Sequence, residues 1–124
     1  MSPRHVPASV SELQRIGLFG SLPGETIVKL AGRMVREEIA AGTPIVVEND
    51  RTDRFYVLIS GLAAVTQEGR GARAILRPGE GFGEVAPLMR MERTATVTAM
   101  TTCIVASCDR ETFDELLRPL YVSD

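Results

Sequence analysis

The spacing of apolar positions changes near Val35 and again near Asp109. Before Val35 the spacing is helical. Leu13 and Ile16 make the apolar side of a short helix that Ser9 or Ser11 can cap, with Glu12 in its first turn. Leu18, Phe19 and Leu22 follow as anchors into a core. Ser21, Leu22 and Pro23 open a second helix with a cap and an early proline. Ile27, Leu30, Ala31 and Met34, spaced three, one and three, give that helix one apolar face. Such a face belongs to a core rather than to a partner groove.

After Val35 the period is two, and glycine and proline punctuate it. Strands are predicted over 35–40, 45–48, 54–60, 63–68, 72–76, 94–100 and 103–109. Turns fall at 41–44, 49–53, 60–61, 69–71 and 77–79. Asp109 or Thr112 caps a last helix with Phe113, Leu116 and Leu117 apolar, and Pro119 stops it. Seven or eight short strands with frequent turns make a mainly β chain, a β-sandwich or jelly-roll barrel, with helices at both ends.

Composition narrows the class. The 124 residues suit one domain with a modest core, and 44% hydrophobic with 24% charged residues is ordinary for a globular chain. A formal net charge of −2 gives no electrostatic drive toward nucleic acid. No apolar run approaches the roughly 18 residues of a spanning helix. The first eleven residues lack the apolar core of a secretion signal. A cytoplasmic chain, or the cytoplasmic portion of a larger one, is expected, without membrane contact by this segment.

Candidate catalytic chemistry is thin. His5 is the sole histidine and sits in a polar lead-in with Pro3 and Pro7. A metal-holding barrel enzyme needs several histidines on its strands, and a serine or cysteine nucleophile needs a base. Neither set is present, so neither enzyme nor metal site is expected. Cys103 and Cys108 lie five apart in one strand and therefore on opposite faces, which reads as two buried structural thiols.

One stretch carries chemistry of another kind. Gly81 and Gly83 flank Phe82, letting the backbone turn and a ligand approach closely. A helix is predicted over 84–90, and its first backbone N–H groups with the helix dipole make an anion site. Arg93 can close over it with charge-assisted bonds to phosphate oxygens, and Thr94 adds a hydroxyl. Glu84 would repel a phosphate but can accept bonds from sugar hydroxyls beside it. The stretch reads as a cradle for a sugar phosphate.

Phe82-Gly83-Glu84-Val85-Ala86, followed by Arg93-Thr94-Ala95-Thr96-Val97 with the arginine ten residues after Gly83, resembles the phosphate-binding cassette of the cyclic nucleotide-binding domain family. The run from Glu48 to Gly61 is similar to a second signature of that family. The Leu18-Phe19 and Leu22-Pro23 pairs, with the helix after them, are similar to its helical lead. The resemblance covers roughly residues 13 to 118. It implies a double-stranded β-helix of the catabolite activator and protein kinase A regulatory subunit type, with N-terminal helices and a C-terminal helix. The implied organisation is a flexible lead-in over 1–10, the nucleotide-binding domain over 11–118, and the start of a C-terminal extension over 119–124.

The resemblance also implies roles. Gly83, Val85 and Ala86 offer backbone N–H groups to the cyclic phosphate, and Glu84 accepts from the ribose 2′-hydroxyl. Arg93 carries the phosphate charge, Thr94 and the Ala95 N–H complete the phosphate shell, and Val65 is a wall for the base. The implied ligand is cAMP, with cGMP as the alternative, since a hydroxyl residue at Thr94 suits either. The implied function is a regulatory sensor acting on an effector domain or partner protein after residue 124, with a homodimer as one assembly. Asn49 and Thr52 stand where the family prefers Gly. Pro87, Arg90 and Glu92 also depart from its cassette. Those departures support an alternative, a domain of this fold that has lost its ligand and serves as an interaction or dimerisation module.

Overall fold

The computed structural model of the chain describes residues 10–47, 54–67, 69, 71–83 and 95–121. Ser9, the 49–53 turn, the predicted helix over 84–90 and residues 122–124 lie outside them, as do the Leu18 side chain and the strand ends expected at residues 48, 68 and 94.

Two four-stranded sheets form, antiparallel throughout. The first takes β1 (Val35–Ile39), β8 (Cys103–Cys108), β3 (Phe55–Ser60) and β6 (Gly81–Gly83) in that order. The second takes β2 (Pro44–Val46), β7 (Ala95–Ala99), β4 (Ala63–Gln67) and β5 (Gly71–Leu76). Consecutive strands thus sit in alternate sheets over most of the chain, so the fold winds rather than meanders.

The two faces of the first sheet bury different cores. Leu58, Cys103 and Val105 point toward the second sheet and meet Ala99, with Ile39, Ile45, Tyr56, Leu76 and Phe82 packed around them. Phe55, Val57, Ala106 and Cys108 point the other way, onto the helices. There they meet Leu13, Ile16 and Phe19, then Ile27, Leu30, Ala31 and Met34, and finally Phe113 and Leu117. A sheet covered on both sides explains why β8 is apolar almost throughout rather than alternating. The cysteines fall on opposite faces as the strand period requires, and both are free thiols. Burial pushes the Cys108 thiol up to about 12, against a smaller opposing pull from Arg54.

The helices carry the expected apolar faces. Helix α1 is Val10–Gln14, α2 is Gly24–Arg33, and a 3-10 turn over Gly17–Ser21 joins them and buries Phe19. Each fully buried Leu or Ile here contributes about 1.5–3 kcal/mol over leaving it exposed. Glu12 of α1 forms a two-pronged ion pair with Arg36 of β1, at 3.0 and 3.3 Å. Ser11 lies inside α1, and the other candidate cap, Ser9, lies outside the described residues. One detail of the caps differs from expectation. Ser21 ends the 3-10 turn instead of capping α2, and Pro23 takes the cap position without a side-chain bond. Proline is suited to that place, because the N–H it lacks would have had no helical partner.

At the other end Asp109 caps α3 (Arg110–Thr112), accepting the Thr112 N–H at 2.8 Å. Pro119 does not stop the helix, contrary to expectation. A π-helical turn, Phe113–Leu117, leads directly into α4 (Arg118–Tyr121). A proline in an ordinary α-helix clashes with the carbonyl four residues back. Here the Arg118 N–H reaches five residues back to the Phe113 carbonyl. The wider turn relieves the clash and lets the chain pass through Pro119.

The largest revision concerns Gly81–Gly83, expected to turn and found as strand β6. Phe55 pairs with Gly83, Tyr56 with Phe82 and Val57 with Gly81. The turn lies earlier, at Pro78-Gly79, where Gly79 has φ +96° and donates to the Leu58 carbonyl at 2.7 Å.

Candidate functional site

The phosphate-cradle stretch can be located from its two anchored ends. Gly83 closes β6, paired with Phe55 at the start of β3. Ala95 opens β7, paired with Gln67 at the end of β4. Strand β3 runs toward the tight Gly61 turn, and β4 runs away from it on the facing sheet. Phe55 and Gln67 are therefore both at the end of the roll remote from Gly61. The chain leaves the first sheet at Gly83 and rejoins the second at Ala95, both at that same end.

Gly61 holds the opposite end closed. Its φ is +92°, and a Cβ there would lie 2.5 Å from the Thr102 carbonyl oxygen. Only glycine fits both the left-handed backbone and the close approach.

The inner face at the remote end is built by strand alternation. On the second sheet Ala63, Val65 and Gln67 share a face with Ala99, Val97 and Ala95, their direct partners across the ladder. Ala63, Val97 and Ala99 are buried, while Val65, Gln67 and Ala95 are half-buried, so the interior opens toward the Gln67 end. Val65 also pairs with Ala74 of β5. On the first sheet the same end carries Tyr56 and Phe82, whose rings stack, and Ser107, which is fully buried. Arg54, immediately before β3, donates from Nε and one terminal nitrogen to the Ser107 hydroxyl at 3.1 and 3.0 Å. That places a guanidinium one residue from the strand that pairs with Gly83.

Of the residues expected to form the site, Gly83, Ala95 and Val65 are described and sit at this end. Glu84, Val85, Ala86, Arg93 and Thr94 lie outside the described residues, as do Asn49, Thr52, Pro87, Arg90 and Glu92. Sequence reasoning missed two contributors. Phe82 is a half-buried residue whose ring stacks on Tyr56 and holds β6 against β3. Its signal was present, an aromatic in period two opposite Tyr56, but the flanking glycines suggested a turn. Arg54 carried no signal, since an arginine at a strand entrance is usually solvated. Among the described residues no group of three His, Cys, Asp or Glu side chains could hold a metal ion, and no helix is long and apolar enough to cross a membrane.

A winding two-sheet roll with helices at both ends matches known proteins. The family model of the cyclic nucleotide-binding domain matches residues 36–119. The chain belongs to the cyclic nucleotide-binding domain family. A cAMP-dependent protein kinase regulatory subunit of Yarrowia lipolytica is 37% identical over 109 residues, covering 87% of this chain and 29% of that protein. A cGMP-dependent protein kinase of Toxoplasma gondii is 41% identical over 117 residues, covering 94% of this chain and 12% of that protein. The chain thus spans under a third of the length of either relative. Among solved structures, the regulatory domain of Toxoplasma gondii PKA with cAMP superposes with a TM-score of 0.79 at 26% identity, covering 90% of this chain and 45% of that one. The mainly β jelly-roll expected from the strand pattern is the architecture of this family.

Proposed function

We propose that this cyclic nucleotide-binding domain is a regulatory sensor that takes cAMP, with cGMP as the competing ligand, at the end of the roll remote from Gly61. The observation that carries the reading is the placement of Gly83 and Ala95, the two residues that flank the 84–94 stretch of the sequence, at that one end on facing sheets. In this reading the backbone N–H groups of Gly83, Val85, Ala86 and Ala95 hold the cyclic phosphate with the Thr94 hydroxyl. Arg93 neutralises the phosphate, Glu84 accepts the ribose 2′-hydroxyl, and Val65 packs on the base. The relatives support the messenger class, since one is named for cAMP and the other for cGMP.

The output lies outside these 124 residues, and the kinase relatives point to a protein kinase domain as effector. In this reading the domain itself is non-catalytic and cytoplasmic, and the regulatory-subunit relative supports the regulatory role. A ligand moves an equilibrium only by binding one state better than the other. The element placed to respond is the C-terminal helix. Its Glu115 is ion-paired with Arg33 of α2 and lies 3.9 Å from Lys29, and its Phe113 ring packs on Phe55 next to Gly83.

The test is equilibrium titration of a fluorescent cAMP analogue into the chain and into Arg93→Ala and Glu84→Ala. A charge-assisted bond contributes on the order of 1.5–3 kcal/mol, so Arg93→Ala should weaken binding by about one to two decades. Unchanged affinity in both variants refutes the site.

A further inference from the structure

We infer that the entrance of β3, Arg54, Phe55 and Tyr56, is a junction through which a displacement of β6 reaches the C-terminal helix, with Arg54 as the positioning residue that holds the cap of that helix. Successive side chains of an extended segment point to opposite faces, so these three reach different elements. Arg54 donates from Nε and a terminal nitrogen to the Ser107 hydroxyl of β8, at 3.1 and 3.0 Å. Phe55 turns the other way and packs its ring on Phe113, with centroids 5.1 Å apart. Tyr56 turns inward again and stacks on Phe82 of β6.

The bond to Ser107 lies two residues before the cap. Ser107 is fully buried and pairs with Tyr56 across β3 and β8, and Cys108 pairs with Phe55. Asp109 follows directly. Its carboxylate accepts the Thr112 N–H at 2.8 Å, and its carbonyl accepts the Phe113 N–H at 3.0 Å. The entrance of β3 thus holds the start of the C-terminal helix from both faces of the sheet, through Ser107 on one and Phe113 on the other. The Thr112 bonds hold the Asp109 carboxyl low, and the charge of Arg54 adds to them along with that of Arg33.

Two N–H groups of one rigid plane converge on a single oxygen, so the start of β3 cannot shift without pulling Ser107 or losing the bond. Losing it is costly, because the buried hydroxyl gives up a charged partner. Strand β3 lies between β6 and β8, and β6 is only three residues long, so a change at β6 acts on the β3 entrance to which it is bonded. The regulatory use of this junction rests on the sensor reading proposed above, while the coupling itself needs no nucleotide.

The experiment is hydrogen exchange of the nucleotide-free chain, read at the Thr112 amide relative to the Leu30 amide within α2. The variants are Arg54→Met, which keeps the stem and removes the guanidinium, Ser107→Ala, Phe82→Ala, and the Arg54→Met/Phe82→Ala pair, each checked for a cooperative thermal transition. Arg54→Met and Ser107→Ala should each raise the Thr112 rate about tenfold relative to Leu30. Phe82→Ala should raise it too, and in the double variant it should add nothing to Arg54→Met. Gly42→Ala, at an open turn away from the junction, should leave the ratio unchanged. An unchanged ratio in Arg54→Met and Ser107→Ala, or effects of Arg54→Met and Phe82→Ala that multiply in the double variant, would overturn the inference. Ser107→Ala tests the same tie if Arg54→Met does not fold, and Phe82→Leu, which loses the ring but keeps bulk, can stand in for Phe82→Ala. If the exchange pattern holds and no cyclic nucleotide binds, the junction stands and the sensor reading alone fails.

Discussion

The rings of Tyr56 and Phe82 stack with centroids 5.3 Å apart and planes within 11° of parallel. Their backbones pair across β3 and β6, and both side chains pack on the inner core. Phe82 thus pins the short strand that carries Gly83. Truncating Phe82 to Ala should destabilise the fold by about 1–2 kcal/mol, less than the loss of a fully buried aromatic, because the ring is half-buried. Phe82→Leu should retain most of that. Denaturant unfolding of both variants measures the difference. Nucleotide affinity of the folded fraction should fall in Phe82→Ala even though Phe82 is not assigned any contact with the ligand.

Much of this arrangement was legible in the sequence, and the misses have physical causes. Apolar spacing located the helices and seven strands because each buries one face against a core, and burial is what periodicity records. Strand β6 escaped because Gly-Phe-Gly offers one side chain in three, too short for a period, and glycine is a turn signal by composition. The helix through Pro119 escaped because proline normally ends a helix, and only the five-residue reach of the π turn admits it. The proposed cradle residues form a set in the sequence through their resemblance to the family's cassette, and Glu84, Val85, Ala86, Arg93 and Thr94 lie outside the described residues. The contact of Arg54 with Ser107 was not legible, because it depends on which strands the fold brings side by side.

Gly61 should tolerate no side chain. Ala at φ +92° is strained, and its Cβ would fall against the Thr102 carbonyl oxygen and Cys103. Gly61→Ala should cost at least about 2 kcal/mol, most of it from strain and overpacking. Gly42, with φ +87° but open space around the Cβ position, is the matched control. Its Ala variant should cost about 1 kcal/mol, from backbone conformation alone. Thermal melts of the two variants side by side test the distinction.

Acid should weaken the C-terminal helix through Asp109. The Thr112 backbone N–H, then its side chain, hold the Asp109 carboxyl below its ordinary value of 3.8, with smaller help from Arg54 and Arg33. A carboxyl lowered on folding stabilises fully above its unfolded value and loses that contribution as pH falls through the folded value. Wild-type stability should therefore drop below about pH 4 by more than that of Asp109→Asn. Near neutral pH, Asp109→Ala should cost about 1 kcal/mol as a lost cap. Urea unfolding at neutral and acid pH reads both.

The Glu115 bond to Arg33 should matter little for stability. All three side chains of the Lys29, Arg33 and Glu115 cluster are partly exposed to solvent, and such pairs contribute about 1 kcal/mol or less. Glu115→Gln should shift the unfolding midpoint only slightly, and the shift should shrink in high salt. A larger effect on nucleotide affinity than on unfolding would mark the contact as part of the coupling between α2 and the C-terminal helix.

Calorimetric titration of the folded chain with cAMP and, in parallel, cGMP bears most directly on the claim that this is a nucleotide sensor. Saturable binding at micromolar or tighter concentration, stronger for cAMP, is expected. No heat with either nucleotide, at two temperatures and from a chain with a cooperative melting transition, would contradict the claim and leave a cyclic nucleotide-binding fold that serves as an interaction module.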